Sequence, residues 1–276
     1  MYIYKKPIAF IILSFLMLIS CTERIDLELN STGEQIVIEG EITTEDKAQE
    51  VIVTRSAPYF ANQAAVPVLD AKVWLYEGDN SWQLDEQRPG HYYTPKMQGK
   101  PGATYQLEVI SEGEIYTANS TMPQKVGIDS IRFQKDIFND NDMEILLFAQ
   151  EPGETKDFYM WKYYRNHRLE TDTITEAMIE RDDLVNGNYI AWIGVLQVEN
   201  YELNDTITLE MSNIPKEYYW FLVNLFSETR WRGGPFDAPP ANINGNLSNG
   251  ALGFFTTRAI SRETRVIKPP YISKRR

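Results

Sequence analysis

The chain has 276 residues, 43% hydrophobic and 24% charged, with 39 acidic against 27 basic side chains and a net charge of −12. A chain this acidic repels nucleic acid and anionic membrane surfaces, so no nucleic-acid partner is expected. Its length suffices for one large or two medium cores, and its single cysteine leaves those cores without an intramolecular disulfide.

Lys5 and Lys6 precede a run from Ile8 to Ile19 that is apolar except for Ser14. The run is shorter than the roughly 20 apolar residues of a spanning helix, and its charged start matches a secretory signal peptide. It ends Leu18-Ile19-Ser20-Cys21, which resembles the bacterial lipobox, where the signal is cut before an acylated cysteine. Two or more acyl chains make a stable anchor. Residues 1–20 are therefore expected to be a signal peptide. Cys21 is expected to be the lipidation site, and 21–34 a tether holding the chain on a membrane. With Cys21 carrying lipid, no thiol remains for catalysis or metal binding.

Alternation of apolar and polar residues then begins. Gln35–Thr43 and Gln49–Ala57 are β-branched runs bounded by turn formers and read as strands. Two more strands flank the turn at Glu77-Gly78-Asp79-Asn80, followed by Pro89-Gly90 and Tyr92-Tyr93. A hairpin, Tyr105–Ile110 with Ile115–Ser120, precedes Met122-Pro123. Short strands at this spacing predict an immunoglobulin-like antiparallel β-sandwich over 35–124.

A second β-rich domain is expected over 125–268. Its strands are Ser130–Lys135, Glu144–Gln150, Phe158–Arg165, Tyr189–Glu199 and Asp205–Ser212. Residues 170–188 read as a charged loop or short helix. Pro215 and the apolar spacing Tyr218, Phe221, Leu222, Leu225, Phe226 predict one amphipathic helix near 215–230. Residues 232–253 hold five Gly, three Pro and four Asn and read as a long loop, uncommon in a compact domain unless functional or disordered. A closing strand, or two, leads to a tail at 269–276. The fold class is thus mainly β with one helix.

No motif in the chain marks a reaction. His91 and His167 are the two histidines; both read as turn or surface residues, and H-E-x-x-H and G-x-S-x-G are absent. Asp182-Asp183 with Glu176 and Glu180 could serve a carboxylate-dependent hydrolase, though a charged surface explains them more simply. Asp140, Asp142 and Glu144 form a weak calcium alternative without EF-hand spacing. Trp74 and Trp192 sit in alternating strands and read as core. The binding-loop candidates are Trp231, Phe236, Asn242, Asn244 and Asn246, since loop aromatics suit sugar stacking or a protein interface. Ser130, Thr173 and Thr206 each follow an aspartate and precede isoleucine, which resembles a bacterial O-glycosylation acceptor pattern of aspartate, hydroxyl residue and apolar residue. No cofactor is expected.

Cys21 in its lipobox is followed in order by "IVIEGEIT", "VTRSAPYF", "AKVWLYEG", "GKPGATYQLEV", "STMPQKVGIDSI" and "GGPFDAPPANINGNLSNGALGFFTTRA". Over essentially the whole mature chain this resembles a family of Bacteroidetes outer-membrane lipoproteins known as domain of unknown function 4249. The resemblance implies no catalytic residues. It does imply a place beside a TonB-dependent outer-membrane receptor in nutrient uptake. It also implies display on the cell exterior, helped by Glu23 and Asp26 although Arg24 interrupts them. The expected function is a non-enzymatic accessory lipoprotein that binds a glycan or peptide ligand or scaffolds the transporter. The alternatives are a stand-alone glycan-binding or adhesin-like surface lipoprotein and, third, a hydrolase.

Overall fold

In the computed structural model, residues 34–56, 64–136, 139–229 and 243–271 are described. The expected signal peptide, Cys21, all of the tether but Glu34, Trp231, Phe236 and Asn242 lie outside the described residues. Period-two burial builds the strands. In β1 (Ile36–Thr43), Ile36, Ile38, Gly40 and Ile42 are buried while Glu39 between them is exposed. Seven strands follow it: β2 (Glu50–Arg55), β3 (Val66–Pro67), β4 (Lys72–Glu77), β5 (Asn80–Arg88), β6 (His91–Tyr93), β7 (Thr104–Ser111) and β8 (Glu114–Thr121).

The second half contains β9 (Ser130–Lys135), β10 (Met143–Gln150), β11 (Phe158–Arg165), β12 (Arg168–Leu169), β13 (Met178–Arg181), β14 (Tyr189–Val198) and β15 (Thr206–Asn213). The helix α1 (Lys216–Thr229) and the 15-residue β16 (Leu252–Val266) close the fold. The described residues are mainly β with one α-helix, as the patterning predicts. Residues 170–188 hold a 3-10 turn at Ile174–Glu176 and the short strand β13. β16 is one strand that begins inside the stretch expected to be loop.

Thirteen strands form one sheet in the order β12-β11-β15-β16-β1-β2-β6-β5-β4-β7-β8, with β13 on β11 and β3 on β2; β14-β10-β9 form a second sheet. The long β16 joins the halves. Leu252–Arg258 pair parallel with β1, and Ala259–Val266 pair antiparallel with β15. A first core gathers Ile38, Val53, Leu75, Tyr105 and Leu107 with Ala251, Phe255 and Ala259; a second gathers Ile131, Ile145, Trp161, Leu209 and Ile267. Residues 251–259 complete the first core, which a division of the chain at residue 124 does not provide for. A third cluster, with Met160, Ile214, Tyr219 and Leu222, lies under α1.

The outer edge at β8 is covered by the described end of the Gly/Asn-rich stretch. Ser248 N–H donates to the Thr117 carbonyl and Ser248 Oγ accepts from Thr117 N–H, both at 2.8 Å. Covering an edge in this way removes a template for strand addition. Trp192, expected in the core, is 55% exposed at φ +66°. The β10–β14 register shifts between Leu147 and Ala149, so an extra residue bulges there and turns the indole outward over Phe148.

Candidate functional site

Two places concentrate chemistry. The first is a cleft of about 700 Å³ between α1 and the face of β1, β2 and β16. The helical stripe puts Leu222 fully inside, while its neighbours Tyr218, Phe221 and Leu225 reach the cleft wall. Phe254 of β16 meets them, its ring 4.8 Å from Phe221 and 5.2 Å from Tyr218. Carboxylates line the same cleft. Phe254 pairs in register with Glu39, which is exposed and has no ion pair among the described residues. Glu41 is forked by Arg258. Glu50 accepts from Tyr93 Oη and lies against His91 Nδ1, each at 2.6 Å. Burial, then the charge of Glu41, pushes the Tyr218 phenol up to about 12, so it stays a neutral donor. Apolar ring faces beside a few aimed polar groups are the usual composition of a ligand pocket.

The second place is a buried acidic pocket where three strand ends meet. Glu151 follows β10, Asp157 precedes β11 and Asp182 follows β13. Their exposures are 1%, 5% and 2%, and one carboxylate oxygen from each lies within 4.8 Å of the others. At an effective dielectric near 20, full like charges no farther apart than that repel by roughly 3.5 kcal/mol or more per pair. None of the three has a Lys, Arg or His ion pair among the described residues. Asp157 Oδ2 accepts from the Thr155 hydroxyl, and Asp182 Oδ2 accepts from Asp157 N–H at 2.9 Å. The Tyr159 hydroxyl donates to Glu151 Oε2 at 2.6 Å. Glu151 Oε1 is buried without a hydrogen-bond partner. Burial, and then the charges of Asp157 and Asp182, push the Glu151 carboxyl up to about 7. A trio this buried does not present paired carboxylates to a polysaccharide.

The sequence-expected residues fall elsewhere. Asn244 is exposed. The Asn246 amide is spent on backbone, accepting from Phe255 N–H at 2.9 Å and donating to its carbonyl at 2.8 Å. Asp140, Asp142 and Glu144 do not converge. Asp142 uses its oxygens on Asn200 N–H and the Asn139 amide, and Glu144 lies in β10 beside the Gln134 amide. Ser130 and Thr206 open strands, whereas Thr173 is exposed at the cap of the 3-10 turn. Asp182, expected on a charged surface, is buried. Glu151 and Asp157 have no spacing motif to announce them; the signal available was an acidic residue at each end of the turn-forming stretch "EPGETKD".

Comparison with curated proteins finds no match. One solved structure, a cytokine receptor complex (crystal form 1A), is similar at 8% identity over 83% of this chain and 94% of that chain. Its TM-score is 0.26, so no inference about fold or function follows from it. A family model matches residues 22–264. The chain belongs to the family described as Domain of unknown function (DUF4249).

Proposed function

We propose that the protein is a non-enzymatic lipoprotein of the outer membrane, anchored through Cys21 and facing the exterior. It holds a ligand for a neighbouring TonB-dependent transporter. The observation that carries the ligand-binding part is the cleft, which the rings of Tyr218, Phe221 and Phe254 line together with Glu39, a carboxylate with no ion pair among the described residues. Rings stack on the apolar faces of sugars or peptide side chains, and a carboxylate accepts from hydroxyl or ammonium donors. A glycan or a short peptide fits that combination. The lipobox, with Glu23 and Asp26 soon after it, supports the placement, and Thr173 is the most accessible of the three glycosylation candidates.

Gentle detergent extraction of the outer membrane followed by affinity capture of the full chain tests the partnership. A co-purifying barrel of receptor size is expected; recovery of the lipoprotein alone would favour the stand-alone glycan-binding reading. Glycan and peptide arrays test the cleft, with Phe254→Ala and Glu39→Gln expected to weaken any hit at least about tenfold. Cys21→Ala should leave the membrane fraction, and retention there would overturn the anchor.

A further inference from the structure

We propose that Glu151, Asp157 and Asp182 form a binding site for a hard divalent cation of the calcium class, which locks the loops 151–157 and 182–188 together. Three observations converge. One oxygen from each carboxylate lies within 4.8 Å of the other two. No cationic side chain pairs with any of them among the described residues. Glu151, 1% exposed, keeps Oε1 buried and without a hydrogen-bond partner. A buried carboxylate oxygen left unmatched is costly, and a bound cation supplies what it lacks.

The surroundings select the ion. All available donors are oxygens, with no His or Cys in the group, which favours calcium, magnesium or manganese over zinc. Calcium binds oxygens at about 2.3–2.6 Å and magnesium at about 2.0–2.1 Å. Oxygens within 4.8 Å of one another can reach an ion at either distance, so the site would take a hard divalent cation, and calcium is the probe used to test it. The Thr155 hydroxyl, bonded to Asp157 Oδ2, is a further oxygen beside the group.

The loops are already aligned by neutral contacts. Glu151 N–H donates to the Asn188 carbonyl at 3.1 Å, and Asp182 N–H to the Asp157 carbonyl at 3.2 Å. The Asn186 amide donates to the Thr155 carbonyl at 3.0 Å. A Cβ on Gly153 would stand 3.1 Å from Gly187 Cα, so the two backbones lie close. This frame holds three carboxylates together with no cationic side chain paired to them among the described residues, as a preformed cation site requires.

Terbium and calcium test the site on the purified full chain after chelator treatment. Tyr159 donates to Glu151 and stacks on Trp161 at 5.4 Å, so terbium in the site should show emission sensitised through these rings. Calcium should displace that emission and raise Tm by several degrees. Glu151→Gln should weaken binding about tenfold or more, while Asp142→Asn, in the other acidic loop, should leave it unchanged. Should Glu151→Gln fail to fold, the terbium and calcium titrations of the unmutated chain still decide. Absence of both sensitised emission and a Tm rise up to about 10 mM calcium, above the range of weak extracellular sites, overturns the proposal. So does binding lost in Asp142→Asn and kept in Glu151→Gln.

Discussion

Arg258 forks onto Glu41, its Nε and Nη2 donating to the two carboxylate oxygens at 2.6 and 2.7 Å. Its remaining nitrogen, Nη1, reaches Glu210 Oε1 at 3.1 Å and Ser212 Oγ at 2.8 Å. Arg258 is the last residue of β16 paired with β1, and Ala259 is the first paired with β15. One buried guanidinium therefore ties both partner strands to the point where β16 passes from one to the other. Removing one partner of a buried ion pair costs about 3–5 kcal/mol. The lower end applies here, because Glu210 keeps Arg262 at 2.6 Å and the Glu41 side chain is 36% exposed. Arg258→Met should lower the unfolding free energy by about 3 kcal/mol in urea denaturation. Arg258→Lys should recover only part of that, since an ammonium lacks the planar fork.

The same cluster makes stability acid-sensitive. Burial raises the carboxyls of Glu41 and Glu210, but the charge and hydrogen bonds of Arg258, with Arg262 at Glu210, outweigh it and leave both lowered. A carboxylate depressed in the folded state contributes stability that is present above its unfolded pKa, about 4.3. The contribution is lost as pH falls through the folded value. The difference in urea midpoint between the unmutated protein and Glu210→Gln should thus be constant from pH 7 to 5. It should shrink below about pH 4.5, and a difference still undiminished at pH 3 would count against the cluster as the acid-labile element.

Local pattern made the strands legible. Alternation in Ile36–Thr43 and the turn residues around Gly78 and Gly113 mark hairpins without knowledge of the rest of the chain. The helical stripe from Tyr218 to Phe226 is likewise a local signal. What stayed hidden depends on long-range pairing. Nothing near Leu252 says that this strand lies parallel to β1, more than two hundred residues earlier, or that Phe255 belongs in the first core. The acidic pocket was hidden for the same reason, because Glu151, Asp157 and Asp182 converge only when β10, β11 and β13 end together. Asn246 misled in the opposite way. Its loop composition suggested a ligand contact, yet its amide satisfies the backbone of Phe255.

That Gly/Asn-rich stretch contains a position where only glycine fits. Gly253 has φ +96°, and a Cβ there would stand 2.1 Å from the Ile38 carbonyl oxygen on β1. Gly250 also has positive φ, +72°, but its Cβ would meet nothing within 4 Å. Backbone strain alone costs about 1–2 kcal/mol for an L residue in the left-handed region. Gly250→Ala should cost about 1 kcal/mol. Gly253→Ala adds a clash with a backbone atom that cannot rotate away, and should cost clearly more while weakening the β1–β16 pairing. Hydrogen exchange at the amides of residues 252–258 would report it, and equal costs for the two variants would contradict this account.

The helix offers a contrast within three residues. Leu222 is 0% exposed beneath α1, packed in the cluster with Met160, Ile214 and Tyr219. Trp220 is 42% exposed, with Arg181 5.6 Å over its ring. Truncating a fully buried leucine costs about 2–5 kcal/mol through lost transfer energy and the cavity left behind. An exposed ring with one cation–π contact contributes about 0.5–1 kcal/mol. Leu222→Ala should therefore destabilise by at least about 2 kcal/mol and loosen the cleft wall that α1 carries, whereas Trp220→Ala should cost about 1 kcal/mol or less. Thermal unfolding of the two variants separates them. A larger loss at Trp220 would mean that its outer face is covered in the folded protein by something other than solvent.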